Sequence, residues 1–232
     1  MKAQYSRTVG LLGETAFEKL RTAHVAVFGI GGVGGHATEA LARAGVGALT
    51  LVDHDVVSES NLNRQIIALR STVGLPKVEV MAARIRDIDE TVKVTPRRVL
   101  FLPENAEEFD FTAYNYIVDA IDNVTAKIEL YRRAAAAGVP VIAAMGTGGK
   151  LDPAALCVTD IHKTEGCPLA RAVRTLCRKH GIKKLKVVYS PEPARGAVTA
   201  EHGRHAPASL STVPATAGLL LAAEVIKELT RE

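Results

Sequence analysis

The sequence predicts a doubly wound α/β fold: a mostly parallel sheet with helices on both faces, extended by antiparallel strands in the C-terminal third. Three observations predict it. Short apolar segments alternate with segments of helical periodicity over the first two thirds of the chain, as strands sandwiched between helix layers do. A glycine-rich turn follows the first of these strands and opens the first long helix. Several strand-like segments end in a carboxylate or a glycine, at the carboxyl ends where such a sheet forms its ligand crevice.

Taken in order, residues 14–20 read as a short helix and 24–29 as an apolar strand ending in Gly29. Residues 33–44 set Val33, Ala37, Ala40, Leu41 and Ala44 at helical spacing, which gives one apolar face. A second apolar run, 48–53, closes on Asp53. Residues 77–88 repeat the helical pattern through Val78, Met81, Ala82, Ile85 and Ile88. Pro76 is expected as the first residue of that helix, where its missing N–H is harmless. A third strand follows over 92–100, a fourth over 115–119, an alanine-rich helix over 124–137 and a fifth strand over 140–145. Beyond Gly146-Thr147-Gly148-Gly149 the pattern loosens. Residues 151–163 read as extended strand, 168–180 as a basic helix, 185–190 as a strand and 215–230 as a closing helix. The stretch 190–214 holds four prolines and two histidines without periodicity and is expected as a long exposed loop.

Length and composition narrow the class. A chain of 232 residues buries roughly 70–75% of its unfolded surface and needs no disulfide or metal staple. An apolar share of 47% excludes disorder. The longest near-apolar runs, such as 217–223, fall well short of a bilayer span. The first seven residues lack the apolar stretch of a secretory signal. The expectation is one soluble, cytoplasmic domain over 1–232, with a core at 1–150 and an extension at 151–232. Cys157, Cys167 and Cys177 are odd in number and form no C-x-x-C pair, which speaks for reduced thiols and against a zinc site.

Chemistry concentrates at the predicted strand ends. Gly29-Ile30-Gly31-Gly32-Val33-Gly34 lets the backbone approach a ligand and turns the unpaired amides of a helix N-terminus toward phosphate. Asp53 lies 19 residues beyond Gly34, where a carboxylate accepts from ribose hydroxyls. On these features alone a nicotinamide-dependent oxidoreductase is the first alternative. The next residues point elsewhere. Asp55, then Asn61-Leu62-Asn63-Arg64-Gln65, hang over the same crevice. The planar fork of Arg64 suits phosphate oxygens. Lys77 adds a second cation, and Asp122 with Asn123 follows the fourth strand. Two cations, a carboxylate and a glycine cradle describe a nucleoside triphosphate with Mg2+, the metal taking one or two carboxylates and phosphate oxygens.

These residues resemble the ubiquitin-activating-enzyme-like adenylyltransferases, a Rossmann-like superfamily that includes the molybdopterin-synthase and thiamine-pathway sulfur-carrier enzymes. The resemblance implies that Lys77 and Arg64 contact ATP phosphates, Asp53 holds the ribose and Asp122 binds magnesium. It also implies a homodimer in which an N-terminal arginine, here Arg7, reaches the partner's nucleotide. The second half selects a branch. The segments 159–166, Pro168-Leu169-Ala170-Arg171 and 183–190 are similar to the tRNA threonylcarbamoyladenosine dehydratases. Cys167 stands where that pattern carries an acidic residue. The resemblance implies ATP-dependent activation of the threonylcarbamoyl carboxylate on a tRNA adenosine, followed by cyclisation. Adenylation of a ubiquitin-like sulfur carrier's C-terminus is the alternative within the superfamily. Residues 178–232 hold no cysteine, which weakens a thioester route.

Charge is unevenly spread. Residues 171–204 carry nine Lys and Arg against two Glu, so that stretch is +7 in a chain of net +4. Arg171, Arg174 and Arg178 share one helix face, followed by Lys183, Lys184 and Lys186. Such a stripe neutralises phosphates, and these six are the candidate tRNA contacts.

Overall fold

The computed structural model describes residues 3–196, 198–201 and 204–231. Two N-terminal helices, α1 (Ser6–Leu12) and α2 (Glu14–Thr22), lead into β1 (His24–Phe28). The alternation then runs α3 (Gly34–Ala44), β2 (Ala48–Val52), α4 (Lys77–Ile88), β3 (Lys93–Arg97), β4 (Tyr116–Asp119), α5 (Val124–Ala137) and β5 (Val141–Ala144). The C-terminal third adds β6 (Cys157–Asp160), α6 (Pro168–Lys179), β7 (Lys186–Tyr189), β8 (Val198–Glu201), β9 (Arg204–Pro207) and α7 (Thr212–Leu229).

The main sheet has the order β3-β2-β1-β4-β5-β7-β6. Every neighbouring pair is parallel except β6 with β7. Strand order reverses between β1 and β4, the switch point where a doubly wound sheet opens its crevice. Alternation along β1 explains the two cores. Val25 and Val27 pack on one face with Leu41, Met81, Ile85 and Leu221. Ala26 and Phe28 pack on the other, where Phe28 meets Phe101, Phe109 and Phe111. α7 crosses α3 closely: a Cβ on Gly218 would lie 2.3 Å from the Val33 carbonyl oxygen.

The departures from the sequence expectation have local causes. Pro76 is extended (φ −59, ψ 131) and caps α4 from outside, so the helix starts at Lys77. Residues 151–163 are broken by turns at 153–155 and 161–163. Asp152 and Asp160 cap those turns by accepting from the backbone amides of Ala154 and His162. The antiparallel extension of the main sheet is therefore β6 alone. β8 and β9 pair as a separate hairpin inside the stretch expected as loop; residues 197, 202 and 203 of that stretch lie outside the described residues. That hairpin lacks apolar alternation, the signal by which strands are read. α1 carries little sequence signal because Gly10 interrupts a short, weakly periodic segment. No helix among the described residues is long and apolar enough to cross a membrane.

Candidate active site

The ends of β1, β2 and β4 border a cleft of about 660 Å³. Its floor is the glycine turn between β1 and α3. Gly29 has φ +89, and a Cβ there would sit 2.6 Å from the Ala120 carbonyl oxygen. A Cβ on Gly34 would lie 1.8 Å from the Gly29 oxygen. The first and last glycines of the turn thus serve close packing. Gly31 and Gly32 line the cleft, and Gly34 does not.

Asp53 ties β2 to this turn. Its Oδ2 accepts from the Ile30 amide at 2.7 Å and its Oδ1 from the Asp55 amide at 2.9 Å. Asp55 reaches the Lys77 Nζ at 2.8 Å and the His54 Nε2 at 3.2 Å. Lys77 is only 5% exposed although it opens a surface helix; its stem is buried and its ammonium is held at the cleft wall.

The segment after β2 is fixed by its own side chains. Asn61 is buried and accepts from the Ser58 amide, closing a tight turn. Arg64 Nη1 donates to the Ser60 carbonyl and to Asn63 Oδ1 at 2.9 and 3.0 Å, which aims the guanidinium along the cleft. Gln65 is buried there, and its Oε1 has no hydrogen-bond partner among the described residues. A buried acceptor of this kind awaits a donor.

Asp122 is exposed at the opposite wall, beyond β4. Asn123 does not line the cleft: its Oδ1 caps α5 by accepting from the Ala126 amide at 2.9 Å. That cap leaves the Asp122 carboxylate to the cleft. Asn63 also turns away, donating to the Ser209 carbonyl at 3.0 Å. The outer wall lies beyond what the sequence reading reaches. It is made by Thr147, Gly148, Pro207 and Ser209. The Gly149 amide reaches the Ala208 oxygen, and its carbonyl accepts from the Arg195 amide. The glycine run at 146–149 is the legible signal for this wall; its partner hairpin has none.

Arg7 lies elsewhere. It is exposed on α1, which packs at the other end of the sheet. There the Tyr5 hydroxyl donates to Asp89 at 2.7 Å, and Phe17 lies under Gly45 at the C-terminus of α3. Within one chain, Arg7 is at the wrong end of the sheet for the cleft.

The six C-terminal cations also separate. Arg171 and Arg178 are exposed on α6. Arg174 instead donates to the carbonyl and hydroxyl of Thr164 at 2.6 and 2.7 Å. Lys183 and Lys184 are exposed in the turn before β7. Because β7 runs parallel to β5, this turn is at the sheet end opposite the cleft. Lys186 is not an available phosphate contact, because its ammonium pairs with Glu224 at 2.8 Å and with Glu228. Burial pushes Lys186 down, but the two carboxylates outweigh it and hold the ammonium above the ordinary lysine range. None of the three thiols lines the cleft: Cys157 is exposed on β6, Cys167 and Cys177 are buried, and burial pushes Cys177 up to about 11.

The profile of the ThiF family matches residues 5–232. A Bacillus subtilis protein named tRNA threonylcarbamoyladenosine dehydratase is 40% identical over 245 residues, covering 100% of this chain and 96% of that one. The Escherichia coli protein of the same name is 44% identical over 173 residues, 75% of this chain and 65% of its own length. The solved structure of E. coli tRNA N6-threonylcarbamoyladenosine dehydratase in complex with ATP superposes with a TM-score of 0.88 at 38% identity. That superposition covers 97% of this chain and 93% of the other.

Proposed function

The chain belongs to the ThiF family, and we propose that it is an ATP-dependent tRNA threonylcarbamoyladenosine dehydratase of the cytoplasm. One observation carries this reading: Lys77, Arg64 and Asp122 converge on the glycine turn at the ends of neighbouring parallel strands. Full-length similarity to relatives of that name supports the substrate.

The chemistry follows from the groups present. A carboxylate oxygen of the threonylcarbamoyl group attacks the α-phosphorus of ATP, the bond from α-phosphorus to bridging oxygen breaks, and pyrophosphate leaves. The enzyme's part is alignment and charge stabilisation rather than covalent catalysis. Gly31, Gly32 and the amides of α3 cradle phosphate. Arg64 and Lys77 meet the charge that builds on the transferred group and on pyrophosphate. For Lys77 this requires exchanging Asp55 for phosphate. Asp53 and Gln65 address the nucleoside, the latter through its unpaired Oε1. An internal nucleophile of the threonylcarbamoyl group then attacks the activated carbonyl and expels AMP, which retains the carboxylate oxygen. No protein thiol is needed.

Magnesium fits the donor set. Asp122 is an exposed carboxylate facing two cations across the cleft, and magnesium is commonly held by one or two carboxylates together with substrate phosphates. It would neutralise phosphate charge when bound. Arg7 acts, in this reading, on the cleft of a second copy, which makes the working unit a homodimer. Exposed Arg171, Arg178, Lys183 and Lys184 are the remaining candidates for tRNA phosphates.

The deciding assay measures pyrophosphate release with tRNA bearing threonylcarbamoyladenosine and, separately, with a small carrier ending in Gly-Gly. Release with the modified tRNA, and a cyclised nucleoside by mass analysis, is expected. Release with the carrier alone would replace this reading with sulfur-carrier adenylation.

A further inference from the structure

Two loops of the cleft stand on a charge pair that the reaction does not touch. Asp119 closes β4 and Lys127 sits in the first turns of α5; both are 0% exposed, with Nζ 2.8 Å from Oδ2. Such a pair is costly to desolvate, and apolar side chains of similar volume often fill the space equally well. The remaining bonds show what the charges add. Asp119 Oδ1 accepts from the Ile121 amide at 3.0 Å, and Oδ2 also accepts from the Tyr131 hydroxyl. The second bond of Lys127 goes to the Ala144 carbonyl at 2.9 Å, at the end of β5.

These anchor points are the roots of two cleft loops. Ile121 and Asp122 line one wall; Thr147 and Gly148, just past Ala144, line another. The first loop also abuts the glycine turn, where Gly29 leaves no space for a Cβ beside the Ala120 carbonyl. A shift at Asp119 is therefore transmitted to Asp122 and to the phosphate cradle.

We propose that Lys127 is a positioning residue. Through Asp119 and the Ala144 carbonyl it fixes the Asp122 loop and the Thr147–Gly148 loop relative to the glycine turn, and so sets the geometry for adenylation. This role deepens the adenylation reading and rests on it. It also explains why a residue buried among apolar neighbours is a lysine: one ammonium bridges a carboxylate and a carbonyl on two different strands, which no apolar side chain does.

Three variants test it. Lys127→Met leaves Asp119 without its cation and is exposed to unfolding. Asp119→Asn with Lys127→Met removes both charges and keeps an acceptor for the Ile121 amide. Tyr131→Phe removes one bond and leaves the pair. The measurements are thermal midpoint, ATP affinity by calorimetry with and without magnesium, and kcat and KM for pyrophosphate release. The double variant is expected to melt near the unaltered protein. Its kcat should fall about tenfold or more while the KM for tRNA stays within about twofold, as misplacement rather than weakened binding dictates. The gain in ATP affinity from magnesium should shrink about fivefold, and Tyr131→Phe should follow in the same direction by about two- to threefold. Should the double variant unfold, Tyr131→Phe decides. Unaltered kcat and ATP affinity in Tyr131→Phe, or in a folded double variant, would overturn the positioning role alone. Absence of ATP binding by the unaltered protein would overturn the adenylation reading together with it.

Discussion

The cations of the cleft and those of the α6 region differ in what surrounds them. In the cleft, Arg64 and Lys77 are held by neighbours: a carbonyl and an amide oxygen for Arg64, a carboxylate for Lys77. They share the lining of one concave space with the carboxylate of Asp122. Around α6, Arg171, Arg178, Lys183 and Lys184 are solvent-exposed and spread from the cleft side of the sheet to its far end. Convergence with restraint suits one compact anion, as the proposed ATP site needs. Spread with exposure suits an extended polyanion, as the proposed tRNA surface needs. The C-terminal third shows a third arrangement in Lys186, a half-buried cation paired with two carboxylates of α7.

The sharpest way to break this comparison is Arg64→Ala. Pyrophosphate release should lose about 100-fold or more in kcat/KM, on the order of 3 kcal/mol, with the fold intact by circular dichroism. A tolerant enzyme that binds nicotinamide dinucleotide instead would restore the oxidoreductase alternative. The next test replaces Arg171, Arg178, Lys183 and Lys184 by alanine together. The KM for tRNA should rise about tenfold, and the salt slope of binding should fall by about one for each phosphate that no longer meets a cation. ATP affinity should not move. An unchanged salt slope would sink the surface reading.

Lys186→Ala should act on stability and not on tRNA. It removes the cation shared by Glu224 and Glu228 on α7, leaving them Lys227 and the Tyr116 hydroxyl respectively, and is expected to cost about 1–2 kcal/mol in denaturant melts. A change in tRNA affinity without a stability loss would reverse that assignment.

The smallest effect is a pH dependence. Hydrogen bonding from Lys186 holds Glu224 below the usual carboxylate range. For Glu228, burial pushes upward, but bonds from Lys186 and Tyr116 outweigh it and lower the value. Carboxylates lowered in the folded state stabilise it above their unfolded values, near 4.5, and that contribution is lost as pH falls through the folded values. The thermal midpoint should therefore drop below about pH 4.5, and the drop should be shallower in Lys186→Ala. Lys186 is raised instead, so its share is present below 10.5 and fades only as pH climbs through its folded value.

The same contrast explains how much of the molecule is legible in its sequence. Helix periodicity gives α5 its observed limits, Val124–Ala137, with Asn123 as a local cap, and places α4 over Lys77–Ile88 apart from Pro76, which stands outside the helix. The glycine turn, Asp53, Arg64, Lys77 and Asp122 are legible because each follows a readable strand or opens a readable helix. Position alone marks Gly34, Asn63 and Asn123 as ligand contacts, and the fold gives each another task. Which way a short polar side chain points depends on neighbours distant in sequence, such as Ser209 for Asn63.

The sequence by itself determined the alternating architecture, the glycine turn and the cleft's charge inventory, since these rest on local periodicity and on residue chemistry at strand ends. Tertiary structure alone decided which charges remain available. Lys186 counts as a phosphate contact until α7 places two carboxylates against it. Lys127 stands out only when three chain segments close around it. The packing of α1 sets Arg7 at the far end of the sheet. A charge acquires its role from what the fold brings beside it, and that partner usually comes from a part of the chain that local pattern cannot reach.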